Sequence, residues 1–285
     1  MASPTKLIDR EEWSKFAPSF MQIAAQSPGV GPAQALVERT NQLVPFSTAT
    51  LVVDMGCGPG QVTDAVLQRH AAELPTTARV IGADNNPQML AQYGARQKKE
   101  LNEGKEHWEH VETATTDIYD CAAFTNDSVS HLLAGFVVFL VPEPIKAVEA
   151  MKSKLTSGGV LAFSSWEGSD WQDLMYYPKK VRPDLVMPTP PTDWTHPDGV
   201  RKNLQKIGFS EIQVEQTEGY WSFTDYDEIC RFILTKMPLA ARVISQMSDE
   251  EVVQTHKLMV SDLKAKYPSL PAKMVGKATV AYCLK

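Results

Sequence analysis

Short apolar runs alternate with amphipathic segments through most of the chain. Leu51–Met55 is a β-branched run that ends at glycines, which is typical of a buried parallel strand. Gln61–His70 carries its apolar residues on one side, which predicts a helix. The same reasoning predicts further strands at Arg79–Ala83, His110–Thr115, Val129–Ala134, Val160–Ser164, Glu211–Glu215 and Val275–Leu284. It predicts further helices at Pro87–Leu101, Glu143–Leu155, Asp198–Ile207, Asp225–Lys236 and Asp249–Tyr267.

Strands separated by helices imply a parallel sheet, because parallel neighbours need a crossover connection. The predicted fold is therefore α/β, with a doubly wound, seven-stranded, mostly parallel sheet in a single domain over residues 1–285. Residues 49–166 form its core. Three segments fall outside the repeat and are predicted to be lids: an N-terminal helical lid at 1–48 and insertions at 167–197 and 223–271.

Composition and net charge restrict the cellular location and the binding partners that we expect. No apolar run approaches the roughly 18–20 residues that span a bilayer, and the first residues lack the apolar core of a secretion signal. The cysteines Cys57, Cys121, Cys230 and Cys283 lie far apart, as free thiols of a reducing compartment do. We therefore expect a cytoplasmic protein without membrane contact. The net charge of −6, without a basic block, argues against a nucleic-acid partner.

The richest motif is the segment from Asp54 to Gly60, DMGCGPG, between the first predicted strand and helix. Glycines let a backbone turn sharply and approach a ligand closely, and the following helix offers free N–H groups. A dinucleotide site would prefer GxGxxG, but the spacing here is GxGxG, with Gln61 at the place of the third glycine. A phosphate-binding P-loop needs GK[ST], which is absent. A glycine turn without a ligand is a further alternative.

DMGCGPG resembles the first motif of the class I S-adenosylmethionine (SAM)-dependent methyltransferases, (D/E)xGxGxG, at every defined position. Downstream, VIGADNNPQML resembles the family's GxDxSxxML, with Asn86 in place of the serine. Asp117 in ATTDIYD stands after the third strand, and KSKLTSGGVL resembles the family turn into the fifth strand. Four matches in the right order make coincidence improbable.

The resemblance implies a set of residues that bind SAM and its product S-adenosylhomocysteine (SAH). Asp54 and the glycine loop would lie near the methionine part, Asp84 would accept from the ribose, and Asp117 with Ile118 would hold the adenine. The end of the fourth strand would line the pocket near the transferred methyl. The full predicted cofactor set is Asp54, Gly56, Cys57, Gly58, Gly60, Asp84, Asn85, Met89, Asp117, Ile118, Ala134 and Phe136.

Methyl transfer needs an acceptor lone pair aligned with the methyl group and shielded from water. A base is needed only when the acceptor arrives protonated. The sequence consequently assigns no catalytic base and no metal ligand. Aromatic residues at and after the fifth strand suit an apolar substrate with a ring. Trp166, Trp171 and Tyr177 are the predicted substrate-binding residues of this region, although packing within the lid is an equal alternative for each. Phe20 is added to them because WSKFAPSF (13–20) resembles the helix that closes over SAM in many small-molecule members of the family. His131 is predicted to be a core histidine, and His196 a cap or surface residue.

These features predict transfer of a methyl group from SAM to the O, N or S atom of a small organic acceptor. The lid segments resemble those of small-molecule methyltransferases of fungal secondary metabolism. Two alternatives are a protein methyltransferase and a SAM-binding protein without methyl transfer, such as a rearrangement catalyst or scaffold. Base-methylating enzymes carry [DN]PP[YF] after the fourth strand, where this chain reads AGFVVFLVPEP. The sequence sets no oligomeric state.

Overall fold

Seven strands form one sheet in the order β3-β2-β1-β4-β5-β7-β6. The computed structural model describes residues 10–24 and 27–285, and for residues 20–24 it describes the backbone alone. Strands β1 to β5 run parallel to one another, whereas β7 is antiparallel to both β5 and β6. The strands are β1 (Leu51–Met55), β2 (Arg79–Asp84), β3 (Val111–Thr115), β4 (Val129–Gly135), β5 (Leu155–Ser169), β6 (Ser210–Phe223) and β7 (Ala272–Leu284).

Helices cover both faces of this sheet and the carboxyl ends of its strands. Most begin with a proline in the first turn or with a capping side chain, such as Asn86 and Ser248. They are α1 (Arg10–Ala24), α2 (Val30–Leu43), α3 (Gln61–His70), α4 (Pro87–Asn102), α5 (Pro144–Lys154), α6 (Asp170–Met175), α7 (Pro178–Val181), α8 (Pro197–Ile207), α9 (Tyr226–Lys236), α10 (Pro238–Ile244) and α11 (Asp249–Lys266).

Two apolar clusters enclose the sheet. On one face, α2 and α3 bury residues such as Leu36 and Val66 against Val52 and Val80 of β1 and β2. On the other face, α5 and α8 bury Met151, Leu204 and their neighbours against the same sheet. Apolar burial on both faces explains why these strands read as continuous hydrophobic runs. The doubly wound, mostly parallel sheet that the sequence predicts is confirmed.

A third apolar cluster lies beyond the main sheet layers. It joins α6 to α9, α10, α11 and the far ends of β6 and β7. Its buried members include Trp171, Trp221, Ile233 and Met274. The predicted insertions at 167–197 and 223–271 thus pack partly on each other, and they enlarge one end of the sheet.

The structure departs from the sequence predictions mainly at segment lengths. β5 and β6 are much longer than the predicted Val160–Ser164 and Glu211–Glu215, because β7 pairs with β5 from Val160 to Ser169 and with β6 from Ser210 to Phe223. Their outer halves carry glycines and polar residues, which weaken the strand pattern.

Residues 1–48, predicted as one lid, contain two different elements. α2 packs against β4, β5, β6 and β7, so it is a layer of the core. Its buried residues Ala33, Leu36, Val37 and Thr40 have helical spacing. α1 instead contacts α4 and α10, near the carboxyl ends of the strands.

Within the described part of the chain, no helix is long and apolar enough to span a membrane. Cys57, Cys121, Cys230 and Cys283 are all buried with free thiols.

His131 is fully buried, stacks on Phe46 and places Nε2 3.1 Å from the Val44 carbonyl oxygen. It is therefore a core histidine, as predicted.

Candidate cofactor and acceptor site

The glycine loop connects β1 to α3 through a left-handed backbone. Gly56, Gly58 and Gly60 have φ values of +67°, +50° and +81°. A Cβ atom at Gly60 would stand 2.8 Å from the ring of Tyr93. A Cβ atom at Gly58 would meet nothing closer than Met89 Sδ at 4.0 Å. The loop is thus pressed against Tyr93 on one side while its backbone at Gly58 stays accessible to a ligand.

Asp54, at the end of β1, is enclosed beneath this loop. Its Oδ2 accepts hydrogen bonds from the Thr63 backbone N–H at 2.9 Å and the Thr63 hydroxyl at 2.7 Å. Tyr93 Oη donates to the same Thr63 hydroxyl at 3.1 Å. Burial raises the pKa of Asp54 to about 6, although the two Thr63 hydrogen bonds oppose this effect. The carboxylate therefore holds the start of α3 under the glycine loop.

Asp84, at the end of β2, connects two backbone segments. Its Oδ2 accepts from the Gly58 N–H at 3.0 Å and its Oδ1 from the Asn86 N–H at 2.8 Å. The side chain is only partly buried. Burial raises its pKa, and the backbone hydrogen bonds of Asn86 and Gly58 oppose the rise. Since a carboxylate oxygen accepts more than one hydrogen bond, both oxygens can still accept from ligand hydroxyls.

The remaining predicted cofactor residues of the first strands lie beside Asp84. Asn85 Nδ2 donates to Asp117 Oδ2 at 3.2 Å, which joins the ends of β2 and β3. Ile118 is buried next to Asp117, and Met89 is buried next to Gly58. Cys57 is buried within the loop, where burial raises the pKa of its thiol well above the usual range. The predicted residues thus form a continuous row along the carboxyl ends of β1, β2 and β3.

A stacked pair of aromatic rings lies where β4 ends, next to the row of predicted cofactor residues. Ala134 is fully buried in the core, whereas Phe136 is half-buried. Phe136 adopts a left-handed φ of 57°, which a non-glycine residue rarely takes and which often marks a functional site. Its N–H donates to the Ser164 carbonyl at 3.1 Å. Its ring stacks on Trp166 of β5 with centroids 4.4 Å apart and planes 13° apart.

Further aromatic rings continue from this pair in edge-to-face contacts. Trp166 meets Trp171 at 4.9 Å, Trp171 meets Trp221 at 5.9 Å, and Trp221 meets Phe232 at 5.9 Å. Phe232 in turn packs on the cluster that contains Phe16, Ala17 and Met89. These rings, from Phe136 through to Phe232, form an aromatic row. It runs from the end of β4 to a cluster that includes Met89 of α4, the helix that follows Asp84. The sequence indicated Trp166 and Trp171 but not Trp221 or Phe232, which lie far along the chain.

Two other predicted substrate residues have different surroundings. Tyr177 donates its hydroxyl to Asp262 Oδ2 at 2.8 Å, and its ring faces Lys180. Its polar contacts are therefore with α7 and α11 and not with the predicted cofactor residues. Phe20 lies in α1, but its side chain is outside the described part of the structure.

His196 lies just before α8, 56% exposed, with Nε2 3.6 Å from Glu167 Oε1. A surface cleft of about 480 Å³ opens beside this pair. It is lined by residues of β5 and α8 and by the segment before α8, and none of the predicted cofactor residues lines it. His196 is thus a surface residue, which agrees with the prediction. Across the described residues, no group of three His, Cys, Asp or Glu side chains is placed to hold a metal ion.

The structure also shows supporting residues that the sequence did not indicate. Tyr93 occupies the space that glycines leave open at Gly60 and Gly82. Arg96 is buried and donates to the Gly60 carbonyl at 3.2 Å, while Asp64 lies 2.5 Å from its guanidinium. Tyr93 and Arg96 both lie on α4, which packs beneath the glycine loop. Gly60 and Gly82 leave the room that Tyr93 fills, but they do not identify Tyr93 as the residue that fills it.

Comparisons with known proteins match this chain to methyltransferases. A family described as "Methyltransferase domain" matches residues 53–163. Methyltransferase ucsB of an Acremonium species is 29% identical over 95% of this chain and 93% of its own length. Trans-aconitate 2-methyltransferase of Variovorax paradoxus is 33% identical over 46% of this chain and 42% of that protein. The YcgJ protein of Bacillus subtilis shares the fold, with a TM-score of 0.53 at 14% identity, covering 88% of this chain and 97% of that one.

The sheet order, the glycine loop and the acidic residues at the ends of β1, β2 and β3 define a Rossmann-like methyltransferase. Residues 53–163 match the methyltransferase domain family, and the comparisons as a whole support a SAM-dependent methyltransferase.

Proposed function

We propose that this protein transfers the methyl group of SAM to a small organic acceptor that binds against Phe136 and Trp166. The stacked pair of rings at the ends of β4 and β5 is the observation that carries the proposal, since a parallel α/β sheet binds its ligands at these ends. Aromatic walls favour an apolar acceptor with a ring. Related methyltransferases come from the fungi Acremonium and Aspergillus, and this fungal origin is the support for a role in fungal secondary metabolism.

The cofactor half of the proposal assigns one role to each strand end. The accessible backbone at Gly58 and the buried Asp54 would face the methionine part. Asp84, whose oxygens each hold one backbone N–H, would accept from the ribose hydroxyls. Asp117 and Ile118 would hold the adenine through its amino group and its ring. These residues fit SAM because they offer acceptors and apolar surface in the order in which that molecule presents its parts.

SAM supplies a methyl group on a sulfonium, from which a lone pair of the acceptor displaces SAH. The protein has to hold the acceptor atom close to the methyl group and in line with it, at roughly 3–3.5 Å. Phe136 and Trp166 would orient the acceptor ring and exclude water. A hydroxyl or thiol acceptor would lose its proton to solvent or to a base, and no base is assigned.

A panel assay tests the proposal. The purified protein is incubated with SAM and with phenols, carboxylic acids, amines and thiols that carry a ring, and SAH release is measured. At least one ring acceptor should be methylated. Trp166→Ala should raise its KM about tenfold or more, because roughly 1.5 kcal/mol of aromatic contact is lost. Trp166→Phe, which keeps a ring on Phe136, should lie close to wild type.

SAH affinity provides the control in this experiment, because the ring of Trp166 packs on Phe136 and Trp171. The hydrogen bonds of Asp84 and Asp117 come from the glycine loop and from residues 85 and 86. Both Trp166 variants should bind SAH as wild type does. Methylation of proteins or peptides, but of no small acceptor, would contradict the proposal. So would an unchanged acceptor KM in Trp166→Ala.

A further inference from the structure

Asn86 stands where the resembling family motif has a serine, and its side chain does two separate things. Its Oδ1 accepts from the Gln88 N–H at 2.9 Å and the Met89 N–H at 3.3 Å, which caps α4. Its Nδ2 donates to the Arg10 carbonyl at 2.9 Å and to Ser14 Oγ at 3.1 Å. A serine hydroxyl can cap the helix, but it lacks the two amide donors that reach α1. Asn86 is 2% exposed, so these bonds are shielded from water.

The backbone of the same residue belongs to the proposed ribose site. Its N–H donates to Asp84 Oδ1 at 2.8 Å, and Oδ1 is one of the two oxygens that would accept the ribose hydroxyls. The positive charge of Arg10, on α1, also favours the ionised form of Asp84 and opposes the effect of burial on its pKa. α1 is therefore joined to Asp84 by hydrogen bonds through Asn86 and by charge.

α1 extends from this contact to the acceptor side of the site. Phe16 and Ala17 pack on Met89, and Phe232 and Met237 pack on the same cluster. Glu12 forms an ion pair with Arg242 of α10, within the 223–271 insertion. A single helix thus contacts both the segment that follows Asp84 and the elements that carry the end of the aromatic row.

We propose that Asn86 is a positioning residue that couples cofactor binding at Asp84 to the docking of α1. Binding of SAM or SAH fixes Asp84 and the Asn86 backbone, which aligns the Asn86 amide with Arg10 and Ser14. α1 then docks and completes the wall on the acceptor side, so that the cofactor binds before the acceptor. This inference rests on the proposed role of Asp84, and it adds a residue and an order of binding to it.

Hydrogen exchange on the full-length protein, with and without SAH, tests the coupling. In wild type, SAH should slow exchange of the backbone amides of residues 10–24. Asn86→Ser and Asn86→Asp both keep an oxygen to cap α4 but lose the amide donors, and Asn86→Asp also keeps the oxygen to which Ser14 Oγ donates at 3.3 Å. In Asn86→Ser the slowing at residues 10–24 should disappear, and SAH should bind about fivefold or more weakly by calorimetry. Asn86→Asp should lie between Asn86→Ser and wild type in both measurements. The melting temperature without SAH should stay within about 2 °C of wild type, because the cap remains.

A matched control removes a similar bond elsewhere. Asn203 Nδ2 donates to the Asp193 carbonyl at 3.0 Å, remote from the cofactor residues. Asn203→Ser should leave SAH affinity and the exchange of residues 10–24 as in wild type. Ser14→Ala leaves the cap of α4 intact, and it should reduce the SAH-dependent slowing in the same direction as Asn86→Ser. This second variant keeps the test valid if the Asn86 variants lose stability.

The outcomes separate the coupling from the cofactor site itself. If Asn86→Ser and Ser14→Ala both retain the SAH-dependent slowing at residues 10–24, Asn86 is only a helix cap and the proposal is wrong. Weaker SAH binding with unchanged slowing also overturns it. If wild type does not bind SAH at all, the proposed cofactor site fails, and the coupling fails with it.

Discussion

Asp54 shows at the scale of one residue how the site uses a buried carboxylate. The side chain is 2% exposed, and one of its oxygens takes both hydrogen bonds from Thr63. Burial is the larger influence and raises the pKa of this carboxyl to about 6 from an ordinary value of 3.8. The folded state therefore binds a proton more readily than the unfolded chain does. This difference ties stability to pH.

The first prediction concerns Asp54→Asn. Because the folded pKa is the higher one, the contribution of Asp54 to stability is complete below about pH 4 and is lost as pH rises through about 6. The asparagine does not titrate, so wild type should lose stability relative to Asp54→Asn between pH 4.5 and 7.5. A shift of about two pKa units corresponds to at most roughly 3 kcal/mol. Urea unfolding at several pH values measures this difference.

Tyr93→Phe provides the control for this pH dependence. It removes the hydroxyl that donates to Thr63 but leaves the Asp54 carboxylate in place. Its stability should therefore follow the wild-type pH dependence. A constant stability difference between wild type and Asp54→Asn across this pH range would contradict the assignment.

At the scale of elements, Asp170 joins three parts of the enlarged sheet end. It begins α6, and its oxygens accept from Tyr267 Oη, from Lys266 Nζ at 2.5 Å and from the Val275 N–H at 2.8 Å. These partners lie at the end of α11 and in β7. The carboxylate is largely buried, with 16% of its side chain exposed. Removing it leaves the part-buried Tyr267 hydroxyl and Val275 N–H without this acceptor, which costs stability.

The second prediction is that Asp170→Ala loosens α11. We expect a loss of about 2 kcal/mol in unfolding free energy and faster amide exchange in residues 249–266, because two part-buried donors lose a charged acceptor. Lys180→Met is the matched control. It also removes a Lys–Asp pair to α11, but Lys180 and Asp262 are about half exposed, so the effect should be under about 1 kcal/mol. Equal effects of the two variants would contradict the role of Asp170.

At the scale of the whole molecule, the proposed cofactor site draws on the ends of four strands. Asp54, Asp84, Asp117 and Phe136 come from β1, β2, from the segment after β3, and from the end of β4, and α1 lies over part of this edge. A ligand held by so many elements stabilises the fold as a unit, because it binds the folded state alone.

The third prediction follows from this linkage. SAH at about a hundred times its Kd should stabilise the protein by about 2.7 kcal/mol. For a chain of this size the melting temperature should rise by about 4–6 °C. Asp84→Ala removes the proposed ribose acceptor and should show little of this rise at the same SAH concentration. Scanning calorimetry measures both, and an equal rise in the two proteins would contradict the role of Asp84.

Local pattern was sufficient for most of the fold. The predicted boundaries of Leu51–Met55 and Gln61–His70 agree with β1 and α3, because a short apolar run and a one-sided helix are local signals. The outer halves of β5 and β6 were not predicted, since their strand structure depends on pairing with β7 across a long insertion. α2 was assigned to a lid, although its apolar spacing matches its place on the sheet.

The fold class followed from the amino-acid sequence alone, and the methyl donor followed from the resemblance of its motifs to those of the methyltransferases. Glycine spacing and acidic residues at strand ends are local features, and a parallel sheet brings strand ends to one edge whatever the loops do. The side chains that meet across long separations became known from the packed structure: Tyr93 under Gly60, Phe136 on Trp166, and Asn86 on α1. These contacts depend on how separate elements pack, and packing has no signature in the local pattern of the residues that take part.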